Sequence, residues 1–112
     1  MGFSGQQSAI IGNYITDAAN NQDEIALRQL SKKFSGEYMT IGLHLDFSYN
    51  SLQQIETDHQ RDCVARNNAM LMQFWNRKRD RQDKVFKLKQ AFSKAERNDV
   101  SGDLDDMFQQ PS

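Results

Sequence analysis

Apolar residues recur along this chain at the spacing of amphipathic helices, in short segments separated by turn residues. Over residues 24–34, Leu27, Leu30 and Phe34 stand at positions i, i+3 and i+7, so they form one apolar stripe on a helix. We expect this first helix to end near Gly36, because glycine suits the left-handed conformation that often follows a helix. Proline, which breaks helices, is absent until the end of the chain. The pattern therefore indicates an all-α protein.

Two shorter helices follow, over residues 37–45 and from Ser48 to about Asp58. Their inward-facing residues are Tyr38, Ile41, Leu45, Leu52 and Ile55. Gly42 leaves room for the close approach of a neighbouring backbone. The hydroxyl of Ser48 is suited to cap the third helix, because Ser is a preferred N-cap residue.

Three further apolar stripes predict the second half of the fold. They comprise Val64, Asn68, Leu71 and Trp75 in a fourth helix, Val85, Leu88, Phe92 and Ala95 in a fifth, and Val100, Leu104 and Met107 in a sixth. We expect the fourth helix to be the longest, since no breaker interrupts it. The charged run from Arg77 to Arg81 follows as a solvated corner, and Asn98 or Asp99 is expected to cap the sixth helix.

The two ends of the chain are expected to lie outside this bundle. Residues 1–22 are rich in Gly, Ser, Gln and Asn around a few apolar positions, so two interpretations stay open: a short extra helix, or a tail or linker of a longer parent protein. The predicted division is an N-terminal extension over residues 1–22, one domain over residues 23–108 and a C-terminal tail over residues 109–112. A chain of 112 residues fits one such domain.

Charge is strongly segregated, although the net charge is only -1. Residues 76–97 carry nine Lys or Arg against three acids, whereas residues 37–62 carry five acids against one Arg and residues 98–112 carry four acids and no base. The basic run has three open interpretations: a solvated helix face, a site for nucleic-acid phosphates or anionic lipid, and a patch that docks on an acidic surface of another subunit. We favour the last, because arginine pairs carboxylates in two-point geometry.

Candidate chemistry is scarce. His59 and Cys63, four residues apart, could form half of a metal site on one helix face, but a zinc site needs about four ligands. No Gly-rich phosphate loop or supported nucleophile–base pair occurs. We therefore expect no enzyme activity, no cofactor and no metal. One cysteine, no signal-peptide pattern and no apolar stretch of about 20 residues favour a cytoplasmic protein without a membrane segment.

The order of the segments resembles the death-domain family over about residues 24–108. Residues 30–34 and 38–45 look like the family's first helix and its "Trp-x-x-Leu-Ala-x-x-Leu" second helix, with Tyr38 in the place of Trp. The other similar segments are residues 47–56, like the serine-initiated third helix, residues 70–75, like "Met-Leu-x-x-Trp", and residues 88–100, like "Leu-x-x-Ala-Leu" and the following Arg-x-Asp turn. Asp46 stands where the family commonly has a small turn residue, and Asp accepts turn geometry.

The resemblance implies an antiparallel six-helix Greek-key bundle and a non-enzymatic module that assembles signalling complexes, of the apoptosis, innate-immune or NF-kappaB type, by homotypic contacts. Its implied partners are other death-domain proteins and copies of itself, without a small-molecule substrate. By helix position, the implied contact residues are Lys32, Lys33, Glu56, Asp58, Asp62, Arg66, Arg77, Arg79 and Arg81. Two alternatives remain: a basic helical nucleic-acid-binding domain, and an inhibitor that occupies a partner's surface and blocks growth of the assembly.

Overall fold

The computed structural model describes residues 22–108, and within that range the chain is helical without any strand. The six helices are α1 (residues 22–31), α2 (Tyr38–His44), α3 (Tyr49–Asp58), α4 (Cys63–Trp75), α5 (Arg81–Lys94) and α6 (Asn98–Met107). This confirms the predicted all-α fold, except that α5 is one residue longer than α4, which was expected to be the longest. The predicted extension before residue 22 and the tail after residue 108 lie outside the described residues.

The helices form the antiparallel Greek-key bundle expected from the sequence. Helix α2 packs against α3 and α5, α3 packs against α4, and α5 packs against α6. Two aromatic pairs connect distant segments through the core: Phe34 meets Phe92 edge-on at 5.2 Å, and Trp75 stacks on Phe108 at 5.0 Å between ring centroids. Such pairs contribute about 0.5–1.5 kcal/mol beyond the apolar area they bury.

Helix α1 ends earlier than predicted, at residue 31 instead of near Gly36. The cause is a buried polar contact, because Nδ2 of Asn67 in α4 donates to the carbonyl oxygens of Ser31 and Phe34, at 3.0 and 2.8 Å. These acceptors become available only where the chain leaves the helical path. Gly36 has no left-handed conformation, so the proposed glycine end signal is wrong.

Helix α2 packs closely at Gly42, but side chains of α3 and α4 approach this glycine there instead of the predicted backbone. A Cβ at position 42 would lie 2.8 Å from Cδ1 of Leu52 and 2.9 Å from Sδ of Met70, closer than such atoms pack. The Tyr38 hydroxyl donates to the carbonyl oxygen of Leu52 at 2.6 Å, and burial raises the pKa of Tyr38 to about 12. Asp46 follows α2 in the left-handed region with φ of 67°, which confirms that this position is a turn.

The inward face of α4 differs from the predicted stripe. Val64 is exposed, so this position was assigned to the wrong face, whereas Asn68 is half-buried with its Oδ1 inside the protein. The buried positions of α4 are Asn67, Met70, Leu71, Phe74 and Trp75. The interpretation failed because Asn67, a polar residue, occupies the core-facing position next to the end of α1, where apolar spacing gives no signal.

Helix ends were predicted with mixed success. Ser48 accepts a hydrogen bond from the backbone N–H of Ser51 at 3.1 Å, which confirms the cap of α3. At α6 the prediction is wrong, because Arg97 occupies the N-cap position and caps nothing with its side chain, while Asn98 already belongs to the helix. The sequence also missed Phe108, which is buried against Trp75 one residue beyond α6.

Candidate protein-interaction surfaces

The nine residues proposed as contacts fall into three places on the bundle. Lys32 and Lys33 follow the end of α1, four residues lie at the α3–α4 junction, and three lie at the α4–α5 junction. The junction residues are Glu56, Asp58, Asp62 and Arg66 for α3–α4, and Arg77, Arg79 and Arg81 for α4–α5. We call Glu56, Asp58 and Asp62 the acidic corner, and Arg77, Arg79 and Arg81 the basic corner.

The acidic corner is exposed, and its carboxylates make mostly local contacts. Asp58 accepts a hydrogen bond from Nε2 of Gln54 at 3.1 Å, one turn earlier on the same helix. Asp62 caps α4 by accepting from the backbone N–H of Ala65 at 3.0 Å. Asp58 and Asp62 also line one shallow surface depression of about 460 Å³. Asp58 and Asp62 therefore present negative charge to solvent without a long-range role in the fold.

Arg66 does not belong to the exposed part of this junction, because only 11% of its side chain is accessible. Its guanidinium lies 4.2 Å from the centre of the Tyr38 ring and donates to the carbonyl oxygen of Ser35 at 2.8 Å and to Oδ1 of Asn67 at 3.0 Å. Glu56 approaches it at 3.7 Å. Arg66 thus joins α4 to the α1–α2 connection, and its assignment as a contact residue now competes with this structural role.

Arg77 in the basic corner is also engaged within the fold, which corrects the expectation of a solvated corner. The residue is half-buried, and its guanidinium lies 4.4 Å from the centre of the Phe47 ring. It donates to the carbonyl oxygen of Leu45, the C-cap residue that follows α2. Burial lowers the pKa of Arg77, so the site is partly desolvated. The side chain fixes the end of α2 to the end of α4.

The two other arginines of the basic corner have acidic partners. Arg81 pairs with Asp23 of α1 at 3.1 Å. Arg79 lies at 4.0 Å from Asp46, whose carboxylate also receives Nζ of Lys87 at 2.6 Å. The hydrogen bond from Lys87 lowers the pKa of Asp46 below its usual range, and the nearby arginines act in the same direction. Asp46 therefore offsets part of the positive charge of this corner.

Most Lys and Arg residues in the remainder of the basic run also contact other groups of the protein. Lys84 donates to the carbonyl oxygen of Trp75, Lys89 pairs with Asp105 at 3.0 Å, and Arg97 bridges Glu37 and Asp99 at 2.8 and 3.1 Å. Hydrogen bonding to Asp99 and Glu37 raises the pKa of Arg97. Seven of the nine Lys and Arg of residues 76–97 thus have contacts inside the protein. They are Arg77, Arg79, Arg81, Lys84, Lys87, Lys89 and Arg97.

Lys32 and Lys33 form a smaller positive surface that faces solvent at the end of α1. Lys33 approaches Asp103 of α6 at 3.7 Å, with 39% and 56% of the two side chains accessible. An ion pair with this exposure contributes about 0–1 kcal/mol, so water and salt compete with it. Both ammonium groups can reorient toward an external carboxylate at little cost.

No metal site is found among residues 22–108, where no group of three or more His, Cys, Asp or Glu side chains has the arrangement of a ligand set. The idea that His59 and Cys63 share a helix face is wrong, because His59 follows α3 as its C-cap residue and Cys63 begins α4. Among the same residues, no helix has both the length and the apolar character needed to cross a bilayer.

The fold and these surfaces define a class: a six-helix Greek-key bundle whose described surface carries charged patches at its helix junctions. A scan of family models matches the Death domain over residues 24–108, which is most of the chain, and the protein therefore belongs to the death-domain family. Comparisons with curated proteins and with solved structures gave no match.

Membership in this family gives the general function. Death domains are protein–protein interaction modules of signalling, and they associate with other death domains. The chain is therefore an interaction module, and its surface charges are to be interpreted as possible contacts to a second domain of the same kind.

Proposed function

We propose that this domain assembles a signalling complex by homotypic contacts in which its acidic corner docks on the positive surface of another death domain. The observation that carries the proposal is that Asp58 and Asp62 are exposed and pair with no Lys or Arg among the described residues. Death domains associate with other death domains, so these carboxylates are available to a second domain of the family. The positive surface on the other domain corresponds to Lys32 and Lys33 of this chain.

Two different surfaces in contact give a head-to-tail arrangement. Such a heterologous contact leaves one free surface at each end, so it generates rings or helical stacks instead of a closed two-fold dimer. The complementary charges also steer the encounter and disfavour wrong registers, since opposed like charges cost several kcal/mol. The proposed role is therefore a growing scaffold in the cytoplasm, of the kind used in apoptotic, innate-immune or NF-kappaB signalling, with any catalysis supplied by its partners.

The nine proposed contact residues carry this role unequally. We retain Lys32, Lys33, Glu56, Asp58, Asp62 and Arg79 as contacts that are free to rearrange at the surface. The side chains of Arg66, Arg77 and Arg81 already contact other parts of the fold, so we give them a smaller share in the proposed contact. The alternative of a nucleic-acid-binding domain loses support from the same contacts, because phosphate binding needs Lys and Arg that are accessible along one face.

A charge-reversal experiment tests the proposal. Asp58→Lys should abolish self-association or partner capture, measured by sizing at several concentrations, and so should Lys32→Glu with Lys33→Glu. A mixture of the two variants should associate, because each retains the surface that the other lacks. Asp106→Lys, an equal change at an exposed position of α6, serves as the control.

The outcomes separate the candidate functions. Normal assembly of Asp58→Lys would overturn the docking of the acidic corner. Binding of generic duplex or single-stranded nucleic acid at moderate salt would support the nucleic-acid alternative. A protein that binds a partner death domain but ends its growth, instead of extending it, would be an inhibitor.

A further inference from the structure

A groove of about 410 Å³ lies between α5 and α6, and none of the residues retained for the proposed homotypic contact lines it. Its apolar lining residues are Val85, Phe86 and Phe108. Phe108 is buried, whereas 58% of the Phe86 surface is accessible, more than for any other large apolar residue of the described chain. A large exposed apolar side chain that lines a concave site favours a partner that covers it.

The exposed face of α5 carries matching residues on either side of Phe86. On a helix, the neighbours on one face lie three and four positions away. Before Phe86 these are Asp83 and Gln82, and after it they are Lys89 and Gln90. Reversing the direction of the helix therefore exchanges one glutamine for the other and places a carboxylate where an ammonium group was. The face is complementary to a reversed copy of itself.

These polar side chains are accessible to a partner. Gln82, Asp83 and Gln90 are exposed, and Asp83 lies in the first turn of α5. Lys89 has 35% of its side chain accessible and pairs with Asp105 at 3.0 Å. An ion pair at this exposure is weak, and an ammonium group has three donors, so Lys89 can bind a second carboxylate.

A two-fold axis perpendicular to α5 at Phe86 matches these residues. It sets the helices of two copies antiparallel, so that Asp83 of one copy lies at the same height along α5 as Lys89 of the second copy. Gln82 and the second copy's Gln90 also lie at one height, and their amides can exchange hydrogen bonds. The two Phe86 rings meet at the axis, where each can enter the groove of the other copy.

Other occupants match this face less well. The exposed side of α1 offers Ile25 with Arg28 one turn later, so it would bring a cation to a surface that already has Lys89. Nucleic acid and anionic lipid bind cations that no carboxylate opposes, whereas Asp83 and Asp105 stand at this face. A second copy in reverse orientation supplies both signs of charge at the required places.

We propose that the α5 helices of two copies of this domain pair antiparallel about a two-fold axis at Phe86. One aromatic anchor per copy and a few exposed polar pairs offset little of the freedom lost on association, so the pairing needs a local concentration of about millimolar. Domains held in one assembly reach such concentrations, and the pairing then links neighbouring head-to-tail chains side by side. The pairing itself does not rest on the head-to-tail contact.

Disulfide trapping of the full chain at about millimolar concentration tests this inference. Every variant carries Asp58→Lys, which removes the proposed head-to-tail contact, and Cys63→Ser, which removes the single native thiol. A chain with Gln82→Cys is mixed with a chain with Gln90→Cys in a glutathione redox buffer. The mixed disulfide is expected. Identical positions lie eight residues apart in height, about 12 Å, which is too far for a disulfide.

Substitutions on the face should control the yield of the mixed disulfide. Phe86→Asp in both chains should abolish it, since charge replaces the anchor. Asp83→Lys should lower it roughly tenfold by opposing like charges, and Lys89→Glu added to Asp83→Lys should restore it, because the two charges have changed places. Asp106→Lys, an equal change at an exposed position of α6, should leave the yield unchanged. Circular dichroism melting verifies that each variant is folded.

Two outcomes would overturn the proposal. One is equal trapping of mixed and identical positions, which excludes a two-fold axis at Phe86. The other is a yield no higher than that between Gln82→Cys and Gln29→Cys, an exposed position of α1, because contact would then be random or would involve the α1 face. Neither result bears on the head-to-tail contact, which is tested by the Asp58→Lys change common to all the mixtures.

Discussion

The basic corner and the acidic corner are equally conspicuous as charge runs, yet the fold uses them in opposite ways. At the basic corner, Arg77 is half-buried over Phe47 and Arg81 is paired with α1. At the acidic corner, Asp58 and Asp62 contact only groups within four residues. One corner holds helices together, and the other is free for a partner. The number of charged residues in a segment of the sequence therefore does not show how much charge is accessible to a partner on the folded surface.

The reason lies in side-chain length and in what helix ends need. The last carbonyl oxygens of a helix lack partners within it and carry partial negative charge, so cations bind there. Arg77 and Lys84 reach such oxygens at Leu45 and Trp75, covering apolar surface with their stems. Aspartate is too short for such a reach, and its place at a helix start, as at Asp62, satisfies only its own helix.

The largest expected effect is the loss of the buried ring of Trp75, the last residue of α4 before the basic corner. Trp75→Ala removes the ring that stacks on Phe108 and lies 5.2 Å from Nζ of Lys84. Emptying a buried aromatic site costs about 3–5 kcal/mol of the free energy of unfolding. Urea denaturation measures this, with Phe86→Ala as an exposed aromatic control. An unchanged midpoint would contradict the burial of Trp75 in the core.

An intermediate effect is expected from Arg77→Ala, which leaves the carbonyl oxygen of Leu45 without its guanidinium donor. An unsatisfied, partly buried acceptor of this kind costs about 1–3 kcal/mol. The neighbouring Lys78→Ala removes a charge of the same sign from an exposed position and should leave the unfolding free energy nearly unchanged. If the two variants lost the same amount of unfolding free energy, Arg77 would have no greater structural role than Lys78.

A smaller, pH-dependent effect is expected at Asp46. Its pKa is lower in the folded than in the unfolded chain, so its carboxylate stabilises the fold above the ordinary pKa of about 4, and this contribution disappears as the pH falls through the folded value. Because 55% of the side chain is accessible, we expect less than about 1 kcal/mol. Asp46→Asn should flatten the acid limb of the stability curve more than Asp58→Asn does.

The smallest effect on stability is expected at the acidic corner itself. Asp58→Lys changes an exposed residue near the end of α3, so the unfolding free energy should change by no more than about 0.5 kcal/mol. The same variant is expected to lose association. A large loss of stability would contradict the division between the two corners, because it would give Asp58 a structural role.

The helices and the apolar core could be predicted because burial on one side of a helix imposes a regular spacing of apolar residues along the sequence. Leu27, Leu30, Ile41 and Leu88 all face inward as their spacing predicted. The predictions failed where a polar residue is buried in the core. Asn67 is fully buried, ends α1 and shifts the inward face of α4, and apolar spacing cannot reveal such a residue.

The candidate site was less predictable than the fold. Exposure of Lys32, Lys33 and Asp58 follows from their positions opposite an apolar stripe. The internal use of Arg66 and Arg77 does not, because their acceptors lie 31 and 32 residues away in the chain. Contacts of this range depend on how the helices pack, and no local pattern encodes them.

Asn67 also has a consequence for the order in which the molecule opens. Its amide binds the carbonyl oxygens of Ser31 and Phe34, while Arg66 beside it binds that of Ser35, so the end of α1 cannot separate from α4 without exposing a buried side-chain amide. Native-state amide exchange should therefore find α1 and the first half of α4 opening together, as one cooperative unit. The acidic corner adjoins this unit through Arg66, which contacts Glu56, and so a partner bound there would slow exchange in α1 as well.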